Sequence, residues 1–427
     1  MAARSTGGAA APTALQRTLQ AVWHMEAAKI IARLARMLRD VSLAEEIAQD
    51  AFVAALEQWP QSGVPDKPGA WLMTTARNRA IDRLRHLQLV RSKGVVDAPE
   101  ADAAAEPSTD DEEIGDDVLR LIFVACHPVL PMEARIALTL RMLGGLMPHE
   151  IARAFLVSEA AIQQRIVRAK RALTQAQVPF EVPGTSERSA RLASVLEVIY
   201  LIFNEGYAAT AGENWMRPAL CEDALRLGRV LAQLTPEEPE VHGLVALMEL
   251  QASRLRARSG PQGEPVLLLQ QDRSRWDQLM ISRGIAALQR AEATEAPLGR
   301  YALQAAIAAC HARARTPGDT DWTRIVALYA ALSTLNPSPV VELNRAVAVS
   351  MAHGPAAGLE IVDRLRAESR LAGYHLLPSV RGDLLEKLGR FSEARVELLC
   401  AANLTRNQRE RSLLLERAAA CGPRAGK

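Results

Sequence analysis

Aromatic residues make up only 4% of the 427-residue chain, so few side chains are available to fill a core or to stack on bases. Cysteine is scarce too. The five present, Cys126, Cys221, Cys310, Cys400 and Cys421, are odd in number and widely spaced, with no CxxC or HxxxH spacing beside them. That argues against a disulfide framework and against a tetrahedral zinc site, which the adjacent pairs Cys126–His127 and Cys310–His311 cannot complete alone. No metal or cofactor is expected. No apolar run approaches the ~20 residues that span a bilayer, and Met1–Pro12 is an Ala/Gly/Ser tail without the apolar core of a signal peptide. The expectation is a cytoplasmic protein with no membrane partner. Gly-rich phosphate loops and nucleophile–base spacings are also missing. Glu205, Tyr207, Asp272, Asp277 and His311 can be imagined as a catalytic site, but an enzyme is not expected; such polar residues more commonly satisfy helix ends.

Charge looks uninformative at a net +2 until it is divided along the chain. Residues 1–93 carry +5 and residues 118–177 another +5, whereas Gly94–Asp117 holds ten acids and no Lys or Arg. Two basic modules flank a polyanionic segment, and basic modules are what phosphate backbones attract. The remaining 250 residues come out at only +2, which suggests a different task.

In the first basic module, Ser42 and Glu45 have capping-box spacing. Leu43, Ile47, Ala51, Phe52, Ala55, Leu56 and Trp59 then recur at helical intervals, predicting an amphipathic helix that ends before Pro60. Its other face carries Glu46, Gln49, Asp50 and Glu57, which pattern alone leaves as a solvated strip. After the loop Gly63–Gly69 a second helix is predicted from near Ala70, with Arg77, Asn78, Arg79, Arg83, Arg85 and His86 outward. Arg clustered with Asn suits phosphate contacts together with base-edge hydrogen bonds.

In the second module, Pro148 suits a first helical turn, and Glu150–Phe155 continues the helix to Leu156, with Val157 making the turn. Ser158 is placed to cap a helix in which Ile162, Ile166, Ala169 and Leu173 face inward and Glu159, Gln163, Gln164, Arg168 and Arg171 face outward. The arrangement reads as a helix-turn-helix offering Gln and Arg to a major groove; an ordinary helical hairpin is the plainer alternative.

With both modules in view the chain resembles the sigma-70 family, of the small extracytoplasmic-function type. The matching text for the family's second region is Ala44-Glu-Glu-Ile-Ala-Gln-Asp-Ala-Phe52 and Pro68–Arg85; for its fourth region it is His149-Glu-Ile-Ala-Arg153 and Ser158–Leu173. The resemblance implies an alternative sigma factor with core RNA polymerase (β′ clamp helices and β flap) and promoter DNA as partners. Glu46, Gln49 and Asp50 would be polymerase contacts. The loop Gly63–Pro68 and Arg77, Asn78, Arg79 and Arg83 would read the minus-ten element. Ser158, Glu159, Gln163, Gln164, Arg165 and Arg168 would read the minus-thirty-five element. Only Phe52, Trp59 and Trp71 are aromatic in the first block, two of them at core positions, so strand opening is expected to rely on a polar loop pocket. The acidic segment is expected to act as an extended tether between the two modules and to thread a basic polymerase channel.

Beyond a Pro/Gly-containing linker the pattern is helical throughout. Gly354 and Gly389 lie 35 residues apart, each between helices, close to tetratricopeptide spacing. Leu201–Tyr207, Gln271–Asp277, Thr320-Asp-Trp322 and Pro337–Ala346 resemble the sigma subgroup with a fused C-terminal helical-repeat domain. A repeat surface suits a regulatory protein or peptide, and regulation of the sigma half by this half is expected.

The expected fold is all-α: two small helical promoter-binding domains, the second a helix-turn-helix, an acidic linker between them, then a tetratricopeptide-like domain. The expected divisions are a disordered tail 1–12, region 2 at 13–87, the linker 88–117, region 4 at 118–177, a short linker 178–186 and the regulatory domain 187–427. Two rival readings remain: an operator-binding regulator that needs no polymerase, and a scaffold whose basic helices are merely solvated.

Overall fold

The computed structural model describes residues 14–92, 111–209, 214–293 and 297–422. Among these there is no β-strand, only an isolated bridge pairing Ser259 with Pro265. The expected tail 1–12 and the central tether, residues 93–110, lie outside the described residues. The chain divides into two compact units, 1–198 and 199–427.

The first unit is built from α1 (Ala14–Leu38), α2 (Val41–Ser62), α3 (Pro68–Ser92), α4 (Asp111–Ala125), α5 (Met132–Met142), α6 (Pro148–Phe155), α7 (Glu159–Gln175) and the start of α8 (Thr185–Tyr207). α1 is its spine. It packs against α2 and α3 on one side and α4 on another, burying Trp23, Ile30, Ile31 and Leu34 with Phe52, Trp59, Leu72 and Leu121. Trp23 stacks on Phe52 at 4.7 Å, and Trp59 meets Trp71 edge-on at 5.4 Å. The few aromatics of this unit are thus largely committed to its core.

Several local expectations need correction. α2 is capped by Asp40, not Ser42, because one carboxylate oxygen reaches both Ser42 N (2.8 Å) and Leu43 N (3.0 Å). It also runs past Pro60 to Ser62, since a proline in the last turn removes only a late hydrogen bond; Gly63, at φ 82°, then closes the helix by donating to Trp59 O at 3.0 Å. Leu56 stands outward, 41% exposed, because Ala55 takes the inward position and the next residue is turned ~100° away. α3 begins at Pro68, where the missing N–H has no partner to lose. The turn after α6 is made by Leu156, in the left-handed region at φ 53°. Both ends of the range 88–117 assigned to the tether are helical, belonging to α3 and α4, and Asp117 is fully buried.

The first turns of α8 pack on the end of α4. Ser194 Oγ donates to Cys126 O at 2.8 Å, Arg191 donates to Phe123 O at 3.0 Å, and Arg135 donates to Ser194 Oγ at 2.9 Å.

The second unit continues with α9 (Pro218–Leu234), α10 (Pro239–Ala252), α11 (Gln278–Glu292), α12 (Arg300–Arg313), α13 (Trp322–Leu335), α14 (Pro339–His353), α15 (Pro355–Leu365), α16 (Leu376–Lys387), α17 (Phe391–Leu404) and α18 (Gln408–Cys421). α10 is buried along most of its length between α9, α11 and α12, and from α12 onward each helix packs on the next. That is the nearest-neighbour pattern of stacked helical repeats. Gly354 (φ 97°) and Gly389 (φ 74°) make the sharp joints between α14 and α15 and between α16 and α17, conformations that glycine alone adopts without strain. Leu343, Leu384, Leu385 and Leu398 form the core under these joints.

One buried side chain ties the last helix to the start of this unit. Asn407, 1% exposed, caps α18 by accepting from Arg409 N and Glu410 N, while its Nδ2 donates to Ala209 O and Asn214 O, both at 3.2 Å. Asn407→Ala removes the cap and leaves two carbonyls unsatisfied, a loss of about 2–4 kcal/mol in denaturant unfolding. Asn407→Asp keeps the cap but sets a carboxylate oxygen against those carbonyls and should cost at least as much. A loss under about 1 kcal/mol in either variant would show that the pin does not hold.

Candidate nucleic-acid interface

The helix-turn-helix sorts its residues by face. Ile162, Ile166, Ala169 and Leu173 of α7 are buried, Ser158 accepts from Ala161 N at 3.2 Å as the N-cap, and α6 packs across α7. Glu159, Gln163, Gln164 and Arg168 are exposed, and Arg165 is half-buried. Gln163 Nε2 donates to Glu159 Oε1 at 3.0 Å, which holds one outward amide in place. α7 therefore presents a row of donors and acceptors suited to base edges in a major groove.

In the first block, Asn78, Arg79 and Arg83 are exposed on α3 and Arg77 is half-buried. Glu46 and Asp50 are exposed on α2, Gln49 is half-buried, and Val53 beside them is 48% exposed. Arg79 and Asp50 sit 3.9 Å apart, so the face carrying the basic row and the face carrying the acidic strip meet along the α2–α3 edge.

Sequence reasoning missed the contact that joins the two blocks. Glu45, on the inner face of α2 and 4% exposed, accepts from Arg141 Nε of α5 at 2.8 Å and pairs with Lys170 of α7. Arg141, itself buried, also donates to Leu146 O at 3.1 Å and so fixes the turn between α5 and α6. Gly145 of that turn lies at φ 71° directly over His24 of α1, where a Cβ would come within 3.2 Å of backbone. A second buried carboxylate, Asp117 of α4, receives Arg120 at 2.6 Å and Arg33 and Arg36 of α1 at 3.5 Å each. Burial raises its carboxyl above the usual range despite the three guanidiniums. The available signal for the first contact was an acid set among Ala44, Ile47, Ala48 and Ala51 on an apolar helix face.

Residues 24–89 match Sigma-70 region 2 and residues 120–173 match Sigma-70, region 4, while residues 191–292 match a family of unknown function, DUF6596. The ECF RNA polymerase sigma factor SigL of Mycobacterium tuberculosis (strain ATCC 25618 / H37Rv) is 31% identical over 173 residues, covering 40% of this chain and 93% of the relative. The chain belongs to the extracytoplasmic-function sigma-70 family. SigK of Mycobacterium ulcerans (strain Agy99), also an ECF sigma factor by name, is 30% identical over 34% of this chain and 78% of its own length. An uncharacterised protein of Rhizobium meliloti (strain 1021) is 46% identical over 381 residues, 88% of this chain and 89% of that protein, and so shares the C-terminal half as well. No solved structure matches.

In this sigma-family chain the polar C-terminal residues that suggested a reaction do structural work. Glu205 pairs with Arg217. Asp272 and Asp277 cap helices, the latter accepting from Met280 N at 3.0 Å. Arg273 donates to His311 O and Ala314 O, both at 2.6 Å, closing the end of α12. Arg258 lies over the Tyr207 ring at 3.5 Å and the Trp215 ring at 4.3 Å. Cys400 is exposed; the other four cysteines are buried, none of the five is in a disulfide, and burial raises Cys126 to about 11. Among the described residues no helix is long and apolar enough to cross a membrane.

Two outcomes test these assignments. Glu45→Ala strands Arg141 without a counter-charge and should cost about 3–5 kcal/mol in denaturant unfolding of the full chain, and Glu45→Gln clearly less; equal costs would show that charge is not what matters there. His311 is 8% exposed, edge-on to Trp322, and burial with Arg254 and Arg273 nearby pushes it down to about 4. A depressed folded value favours the neutral ring, so its contribution is complete above the unfolded value of 6.5 and is lost as pH falls toward 4, up to about 3 kcal/mol. His311→Gln should flatten the stability–pH curve in that window; an unchanged slope refutes the assignment.

Proposed function

We propose that the chain is an alternative sigma factor that binds core RNA polymerase and directs it to selected promoters, and that its C-terminal helical half regulates this activity. The observation that carries the reading is the sorting of α7, apolar positions buried and Gln/Arg positions exposed, in a chain that also carries a separate region 2 block. An operator-binding regulator would leave that block without a task. Glu46, Gln49 and Asp50, with Val53, dock on the β′ clamp helices, and region 4 docks on the β flap. Arg77, Asn78, Arg79 and Arg83 hold the minus-ten element. Ser158, Glu159, Gln163, Gln164, Arg165 and Arg168 read the minus-thirty-five element. The factor performs no reaction itself; the polymerase supplies the chemistry. It acts in the cytoplasm, where polymerase and promoter are.

Docked through Glu45, the two reading faces are close. Adding helix rise and side-chain reach from Gln164 through Lys170, Glu45 and Asp50 to Arg79 gives under about 50 Å even if every link is laid end to end. Elements seventeen base pairs apart lie about 58 Å apart on straight duplex. Engaging both therefore requires the seam to open, with residues 93–110 serving as the tether that then spans the gap.

Run-off transcription with core polymerase tests the reading. The full chain should yield a defined transcript from a cognate promoter; Gln49→Ala with Asp50→Ala should abolish polymerase binding while duplex binding stays within twofold, and Gln164→Ala with Arg168→Ala should do the reverse. Loss of both functions in either variant would refute the division of labour. A chain ending at Val198, which keeps the α8 residues that hold α4, should differ in activity at least fivefold from the full chain; equal activity rejects regulation by the C-terminal half.

A further inference from the structure

The stretch that matches a family of unknown function begins inside α8, and its first residues act on region 4. The two matches are separate, at residues 191–292 and 120–173, yet Arg191 donates to Phe123 O at 3.0 Å and Ser194 Oγ donates to Cys126 O at 2.8 Å. These carbonyls lie at the C-terminal end of α4, where a helix runs out of partners of its own. Arg135 of α5 donates to Leu130 O at 2.7 Å and to Ser194 Oγ at 2.9 Å. Ser194, 8% exposed, therefore joins both arms of the α4–α5 hairpin at its vertex.

Each arm carries one lock of the seam. Asp117 lies about 9 Å along α4 from Phe123 and receives Arg33 and Arg36 of α1. Arg141 lies about 9 Å along α5 from Arg135 and pairs with Glu45 of α2. Both locks close at once only at one splay of the two arms, and α8 grips the vertex that sets that splay. α8 itself runs from Thr185 to Tyr207, across the division at residues 198 and 199, with no Pro or Gly before Gly206. Lacking a kink site, it moves as a rod. We propose that α8 is a clamp through which the C-terminal half restrains the promoter-binding half: while Arg191 and Ser194 hold the α4–α5 vertex both locks stay closed, and displacing α8 releases them together. This gives the regulation proposed above a sign and a point of action. Calling the closed arrangement restrained rests on the sigma-factor reading, whereas the clamp itself does not.

The test is a distance across the seam, read by double electron–electron resonance in the full chain without polymerase. Spin labels go on Q58C and Q175C, with the exposed Cys400 removed as C400S. Ser42 of α2 and Gln175 of α7 border one recess, and Gln58 lies about 24 Å farther along α2, so the closed distance falls in the range the method reads. The parent should give one narrow distance. R191Q/S194A should move about a third or more of the molecules to distances about 10 Å longer, while R188Q/S189A, which alters two exposed residues of α8 with no contact to α4, should not. The single variants R191Q and S194A, each leaving the other contact in place, should give intermediate fractions and carry the test should the pair unfold. Unchanged distances in these variants overturn the clamp. In run-off transcription R191Q/S194A should yield at least threefold more transcript than the parent, and a lower yield overturns the restraint. Silence of every chain, the parent included, counts against the sigma-factor reading, and the distances still decide the clamp.

Discussion

A single buried carboxylate, Glu45, decides how the promoter-binding half is put together. Region 2 and region 4 are separate in sequence and each is basic, so the two blocks repel one another. The acid on the inner face of α2 collects a guanidinium from α5 and an ammonium from α7. Because Arg141 also fixes the turn between α5 and α6, the same contact that joins the blocks shapes the helix-turn-helix. Asp117 repeats the device on the other side of α1 with three arginines.

Such contacts are strong against loss of one partner and weak against separation as a whole. Parting the blocks returns all the charges to water, and the hydration recovered offsets much of the Coulombic attraction given up. The raised carboxyl of Asp117 shows that burial there outweighs its three neighbours. A seam of this kind gives one defined resting arrangement while remaining separable by a partner that binds the two halves apart. Glu159, Gln163, Gln164 and Arg168 on α7 and Glu46 and Asp50 on α2 stay exposed in this arrangement.

The all-helical architecture, the helix-turn-helix and the inward residues of α7 were legible in the sequence, because Ile162, Ile166, Ala169 and Leu173 repeat at the period the backbone imposes. Glycine marked the joints at 354 and 389 for a similar reason: only local backbone geometry was at stake. What sequence did not show were decisions made by tertiary neighbours. Asp40 displaced Ser42 as the cap of α2, Glu45 was drawn inward by partners 96 and 125 residues away, and Asp117 left the acidic run for the core. The grip of α8 on α4 was equally hidden, since Arg191 and Ser194 act on carbonyls 68 residues upstream. Where the polymerase and promoter roles of the exposed residues are concerned, the resemblance supplied the meaning and the geometry supplied only accessibility.

The Asn407 pin has a consequence for the order in which the protein comes into being. Its partner at Ala209 is 198 residues upstream, so this contact of the second unit cannot form until residue 407 has been made. The first unit ends at residue 198. At about 5–20 residues per second, roughly 10–40 s separate the two events. During each round of synthesis residues 1–198 are therefore made well before the Asn407 contact can form.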